Sequence, residues 1–345
     1  MATGGIGSGG TSTGGVGSGG AAAGGIAGGG IHSLGGAGGG AVCAHPCAAS
    51  AYCDGGTCKS RVTEFALQDT GAKPRYIIAG ADGNLWFSDS SYDKIRRISP
   101  SGTISEFIVP TAGSGLGSLT LGTDGNVWFT EENAAKIGLI TPSGQITEFP
   151  LDSGVAVPQG ITAGSDGRIW YTEWGQIGIS TLAGMISIKA LPAVDAGPSA
   201  ITLGPDGNTW FLEVNSNKIG RITPSGTVVE FDIPTPGANP MGITAGSDNA
   251  LWFTETNANK IGRITTSGTV TEFPVPGAVS LQRLTVGPDS KIWFTDTSAV
   301  GRIDTSGTVA EFPVPADPYA LTSGPDGQLW FTEQQAGKIG RFVVP

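Results

Sequence analysis

Asp124-Gly-Asn-Val-Trp128-Phe-Thr-Glu131 is the stretch that decides how this chain is read. An acid and a turn residue lead into a short apolar run that ends on a second acid. The phrase returns as Asp82-Gly-Asn-Leu-Trp86-Phe-Ser-Asp89, as Asp166-Gly-Arg-Ile-Trp170-Tyr-Thr-Glu173 and, with small changes, four times more. Its tryptophans are Trp86, Trp128, Trp170, Trp210, Trp252, Trp293 and Trp330, and the gaps between them are 42, 42, 40, 42, 41 and 37 residues. A period near forty with several strand-like segments per unit is the mark of a propeller blade. Seven copies predict an all-β, seven-bladed propeller of four-stranded blades.

Residues 201–232 show one unit. Ile201 to Gly204 reads as strand A, and Pro205-Asp-Gly-Asn208 as a turn with glycine where positive φ is easy. Thr209 to Glu213 is strand B, Lys218 to Ile222 strand C, and Thr227 to Asp232 strand D, after the turn at Pro224-Ser-Gly226. No segment has a 3.6-residue apolar period, so helix is not expected. The last unit, Leu321 to Pro345, lacks a D strand, whereas Val62-Thr-Glu-Phe-Ala-Leu67 looks like a D strand with nothing before it. The N-terminal strand is therefore expected to complete the last blade, which closes the ring and puts the propeller at residues 61–345.

Two segments precede it. Half of residues 1–40 are glycine and most of the rest are Ala, Ser and Thr. Such a stretch has almost nothing to bury, so residues 1–42 read as a flexible tether. Residues 43–60 hold all four cysteines, Cys43, Cys47, Cys53 and Cys58. An even set in a segment without its own core reads as two disulfides, with three pairings open. The rival is a metal knot, because Cys43-Ala-His45-Pro-Cys47 is compact and includes a histidine, although zinc sites favour closer pairs. Disulfides imply an oxidising compartment, so an extracellular or cell-envelope location is expected. Residues 1–20 carry neither the charged n-region nor the apolar h-region of a signal peptide.

A net charge of −10 without basic runs argues against nucleic acid and anionic membranes as partners. No apolar stretch approaches the roughly 20 residues of a membrane span. A monomer that takes a small-molecule or peptide-like ligand is expected, with no organic cofactor.

Two rings of residues could carry chemistry. Strand B closes on Asp89, Glu131, Glu173, Glu213, Glu255, Asp296 and Glu333, one acid per blade, expected on one face near the channel. Carboxylates held close suit a hard cation, Mg2+ or Ca2+. The structural alternative is pairing across the loop to Lys94, Lys136, Lys218, Lys260 and Lys338, although Gln176 and Ala299 replace the lysine in two blades. The second ring enters strand A: Arg75, Gly117, Gln159, Ser199, Met241, Gln282 and Tyr319. These vary while their flanks repeat, which is how a repeat protein marks its binding face. Trp174, in a shortened loop, either stacks on a ligand there or seals the loop.

Gly242-Ile-Thr-Ala-Gly-Ser-Asp248, Leu251-Trp-Phe-Thr-Glu255 and Asn259-Lys-Ile-Gly-Arg-Ile264, followed by Thr-Glu-Phe-Pro-Val275, resemble the streptogramin lyase (virginiamycin B lyase) family over residues 61–345. The resemblance implies a seven-bladed propeller and Mg2+-dependent elimination at the ester of a cyclic depsipeptide. It also implies two catalytic histidines entering the A strands of the last two blades, an acid two residues before the second, and a metal-binding Glu ending the last B strand. Those positions are Gln282, Tyr319, Asp317 and Glu333 here, with Glu255 and Asp296 as further metal candidates. Both acids are present and both histidines are replaced; the chain's two histidines are His32 and His45. Gln cannot titrate, and an ordinary Tyr near pKa 10 stays protonated. The expectation is an exported, lyase-like binding protein. The alternatives are a Mg2+-dependent lyase or lactonase using the acids, and an adhesive envelope module.

Overall fold

The structure, a computed structural model, describes Cys43, residues 45–151 and residues 157–345. The tether expected over 1–42 lies outside the described residues. Seven four-stranded antiparallel sheets and one two-stranded hairpin make up the fold, each blade ordered A-B-C-D. In blade 4 the strands are Pro198–Leu203, Thr209–Glu213, Lys218–Ile222 and Val228–Asp232. Strand A starts three residues earlier than the apolar pattern suggested, because the pairing slips past a bulge after Pro198. Among the described residues the helical content is one 3-10 turn, Thr256–Ala258.

Val62–Ala66 is the D strand of blade 7, paired with Lys338–Phe342 in the register Val62↔Phe342 to Ala66↔Lys338. Phe65 stacks on Trp330 at 5.3 Å.

The repeated phrase has a physical cause. Each of the seven tryptophans is at most 1% exposed and buries its ring between sheets. Its indole N–H donates to the carboxylate of the Asp four residues earlier, at 2.8–3.3 Å. A buried indole nitrogen needs such a partner, so Asp and Trp recur together. In six blades a Phe of strand D stacks on the ring, centroids 5.3–5.6 Å apart. In blade 3 Lys189 takes that register.

On the opposite face, the Phe or Tyr after each Trp lies over a glycine of strand C. A Cβ on Gly220 would sit 2.1 Å from Phe211 Cζ. Gly220→Ala should therefore destabilise the fold by about 1–3 kcal/mol through overpacking, read as a lowered midpoint in urea with an unchanged slope; an unchanged midpoint would contradict this account. Blade 1 departs from the rule. Arg96 stands opposite Phe87, fully buried, and its guanidinium reaches Asp89 at 2.8 Å, Asp69 at 2.5 Å, and Glu106.

The cysteine segment forms a hairpin, Ala51–Asp54 with Thr57–Ser60, turning at Gly55 and Gly56, both with positive φ. Cys43 is bonded to Cys53 and Cys47 to Cys58, with Cα–Cα distances of 5.8 and 5.6 Å. This selects disulfides over the metal knot and one pairing of the three. The hairpin leads through Arg61, whose carbonyl accepts from Val343 N–H at 2.8 Å, into the closing strand.

Candidate ligand site at the channel mouth

The site begins with a backbone irregularity. In blades 1, 2, 4, 5 and 7 the A–B pairing slips just where strand A enters, between Pro74/Ile77, Leu116/Leu119, Pro198/Ile201, Pro240/Ile243 and Pro318/Leu321. A bulge re-aims side chains, and the re-aimed pairs are Arg75-Tyr76, Gly117-Ser118, Ser199-Ala200, Met241-Gly242 and Tyr319-Ala320. Blades 3 and 6 have shorter A strands, Ile161–Ala163 and Leu284–Val286, so Gln159 and Gln282 sit in the loops before them.

A belt of hydroxyls holds these entry segments in a circle. The Ser or Thr one residue before each acid accepts the N–H of its own entry segment: Ser88 from Tyr76, Thr130 from Ser118, Thr172 from Gly160, Thr254 from Gly242, Thr295 from Arg283 and Thr332 from Ala320. The same hydroxyl donates to the entry carbonyl of the next blade: Ser88 to Gly117, Thr130 to Gln159, Thr172 to Ser199, Thr254 to Gln282, Thr295 to Tyr319 and Thr332 to Arg75, at 2.6–3.1 Å. Blade 4 carries Leu212 at this place and has no hydroxyl to offer the Met241 carbonyl. Arg283 donates to that carbonyl instead, through Nη1.

Arg283 then crosses the channel wall. Its Nη2 donates to the Tyr76 hydroxyl at 2.6 Å and the Tyr319 hydroxyl at 3.0 Å, and its guanidinium lies 5.0 and 5.4 Å from those two ring centroids. Burial pushes the Tyr76 phenol up to about 12. Burial also opposes ionisation of Tyr319, but the charges of Arg283 and Arg75 outweigh it and bring the phenol down to about 8. Beside them Arg75 pairs with Glu132 at 2.7 Å.

Arg75, Gln159, Trp174, Met241 and Tyr319 line one cavity of about 500 Å³, joined by Tyr76, Glu132, Asn215 and Arg283. Next to it lies a second space of about 230 Å³, whose wall includes Ile77, Leu119, Ile161, Ile201, Ile243 and Leu321. Tyr76, Gln159, Ser199 and Arg283 line both, and so form the narrowing between them. Trp174 is 56% exposed at the upper rim, which leaves its ring open to a ligand.

The other named residues lie elsewhere. Gln282 is absent from both linings and donates its amide to Ser280 Oγ at 2.9 Å. Asp317 lines neither cavity; burial and the negative charge of Asp296 raise its carboxyl. The seven acids were expected near the channel, and the structure corrects this: all are at most 1% exposed, and none lines either cavity. Alternation along strand B sends them to the same face as the Phe two residues before, toward strands C and D. In blade 2, Glu131 lies opposite Lys136, which bonds Glu148 at 2.8 Å. Burial first, then the charge of Glu148, pushes Glu131 up to about 8; Glu213, Glu255 and Glu333 rise to about 7 for the same reasons. The residue after the acid faces the mouth instead, as Glu132, Trp174 and Val214 do.

Around Glu333, the position implied for Mg2+, a lysine already supplies the positive charge. The two Glu333 oxygens are buried without hydrogen-bond partners, and the neighbouring carboxylate, Glu64, is already paired with the Lys338 ammonium at 3.2 Å. Among the described residues, one group of three Cys, His, Asp or Glu ligand atoms lies within 4.8 Å: Cys43, Cys47 and Cys58, which the disulfides occupy.

Arg283, Tyr76 and Glu132 were not singled out from the sequence. A signal existed: the residues aligned with Arg283 are Tyr76, Ser118, Gly160, Ala200, Gly242 and Ala320, so a guanidinium among mostly small side chains breaks the repeat.

The pattern of the Virginiamycin B lyase family matches residues 55–192 and 174–344. A solved streptogramin B lyase is 39% identical over 82% of this chain and 97% of its own, with a TM-score of 0.79. A catalytically inactive histidine-to-alanine variant of virginiamycin B lyase from Staphylococcus aureus, solved with quinupristin, is 40% identical over 82% of this chain and 99% of its own, with a TM-score of 0.78. Hydrazine synthase from Kuenenia stuttgartiensis, 16% identical over 81% of this chain and 99% of its own at a TM-score of 0.67, shares the fold alone. Comparison with curated proteins gave no match. With the family pattern spanning nearly the whole ring and two lyase structures superimposing on it, the chain belongs to the virginiamycin B lyase family.

Proposed function

We propose that this chain is an exported, ligand-binding member of the family, taking a small-molecule or peptide-like ligand at the channel mouth and lacking efficient streptogramin ring opening. One observation carries the reading: the propeller contains no histidine, and Gln282 and Tyr319 stand where the family resemblance implied the catalytic pair. Elimination needs a base for the proton α to a carbonyl and an acid for the leaving oxygen. Gln282 offers neither and lies off the cavity. The two disulfides support export, since such bonds persist in oxidising compartments. Among the described residues no helix is long and apolar enough to cross a membrane.

A second reading, a divergent lyase acting on cyclic depsipeptide or lactone esters, draws on Tyr319. A phenol brought down to about 8 by Arg283 and Arg75 can exchange a proton near neutrality. Quinupristin is the discriminating probe. Calorimetric binding without ring opening, with or without Mg2+, is the expected result. Catalytic ring opening abolished in Tyr319→Phe would establish the second reading, and ring opening that requires Mg2+ would also restore the metal.

A further inference from the structure

Arg283 is an unusual group to find in a channel wall. Every other arginine from Arg75 onward pairs with an Asp or Glu: Arg75, Arg96, Arg97, Arg168, Arg221, Arg263, Arg302 and Arg341. Arg283 pairs with none among the described residues. Its bonds go to a carbonyl and two phenols, and its buried Nε–H has no partner. A guanidinium has five N–H donors, so besides the buried Nε–H one Nη1 N–H remains after those three bonds, on the side chain that lines both cavities. At the mouth, Arg75 and Arg283 stand against the single carboxylate Glu132, one net positive charge in a chain of net charge −10.

We propose that the channel mouth is a carboxylate site: Arg283, with Arg75 and the Tyr319 hydroxyl beside it, receives the carboxylate of a small aromatic acid whose ring lies on Trp174. The guanidinium charge and its remaining Nη1 N–H suit a carboxylate oxygen, and charge-assisted bonds are the strong ones. A cavity of about 500 Å³ is the size of a drug-like ligand site. The missing hydroxyl at Leu212 is what draws Arg283 across the wall, so the cation is set in place before any ligand arrives. The proposal rests on the ligand-binding reading above and names the ligand's chemistry.

The test uses the full chain and three probes titrated by calorimetry: N-acetylphenylalanine, its uncharged amide, and inorganic phosphate. The acid should bind, the amide at least tenfold more weakly, and phosphate not measurably. Trp174→Ala, at a side chain 56% exposed, should weaken the acid about tenfold. Arg283→Lys should keep a charge but lose the bonds that hold it at once on Met241, Tyr76 and Tyr319, with a similar loss; thermal melts of both variants show whether they are folded. Equal binding of acid and amide would overturn the carboxylate site while leaving a ligand-binding mouth. Phosphate competing with the acid would replace it with a general oxyanion site. No binding of either organic probe at millimolar concentration overturns the inference, and the quinupristin titration then judges the broader reading by itself.

Discussion

Phe65→Ala should lower the melting temperature by about 10 °C. Phe65 comes from the N-terminal strand, stacks on Trp330 of the last blade, and covers the turn of the first, where a Cβ on Gly102 would meet its ring at 2.3 Å. One side chain thus belongs to the two blades that the ends of the ring must join. Removing a fully buried phenylalanine destabilises by about 3–5 kcal/mol; Phe65 is half-buried, so the low end of about 3 kcal/mol applies, and each kcal/mol is worth about 2–4 °C in a domain of this size. The matched control is Phe107→Ala, the equivalent residue of blade 1, whose strand needs no distant partner. The closing strand must bring residues 62 and 342 together before it gives any contact, and that loop entropy is large. Deleting residues 62–66 should therefore abolish cooperative unfolding, whereas Phe65→Ala leaves it intact but at lower temperature. A deletion variant that still melts in one sharp transition near the parent temperature would show that the ring does not depend on this closure.

The second large effect is on pH. Glu131, Glu213, Glu255 and Glu333 have carboxyls raised from 4.5 to between about 7 and about 8. A group whose folded pKa lies above its unfolded value stabilises the fold below the unfolded pKa, and that contribution is lost as pH rises through the folded value. Glu148 and Glu272 are lowered, burial being outweighed by bonds from Lys136, Lys260 and nearby threonines. Their contribution is lost in the other direction, as pH falls below about 4. Stability should therefore peak at about pH 4–5 and decline from about pH 5 to pH 8, between the unfolded and folded values, each tenfold change in a carboxyl's proton affinity on folding being worth about 1.4 kcal/mol. Urea midpoints measured across that range would show it. Glu255→Gln copies the neutral form, so it should flatten the alkaline decline and leave the midpoint at pH 5 almost unchanged. If the variant instead loses stability equally at all pH values, the carboxyl is ionised in the fold and the acids must be reconsidered as ligands for a cation.

The ring was legible because its causes are local. Asp, Trp and Phe recur at fixed spacing since one indole needs one acceptor and one stacking partner within its own blade. Closure was legible because the orphan strand carries the Thr-Glu-Phe signature of other D strands, as at Thr147 and Thr271, and the last unit lacks one. The acids were misplaced because a one-residue shift in a strand turns a side chain to the other face, and the sequence does not announce which of Glu131 and Glu132 ends the last pleat. Arg283 escaped notice for a different reason. Its position depends on Leu212, two blades away, and no pattern within one repeat connects them.

The hydroxyl belt has a sense of rotation. Every link runs from a hydroxyl through the C=O and N–H of one peptide group to the next hydroxyl, always in the same direction around the axis. Head-to-tail dipoles that completed the circle would cancel, leaving the rim without a net moment in its plane. Leu212 interrupts the circle, so the moment survives and its negative pole is the Met241 carbonyl. The arginine charge sits on that pole. One apolar substitution on a single strand has thus turned a symmetric rim into a polarised one, and has given a pseudo-sevenfold molecule a front and a back at its mouth.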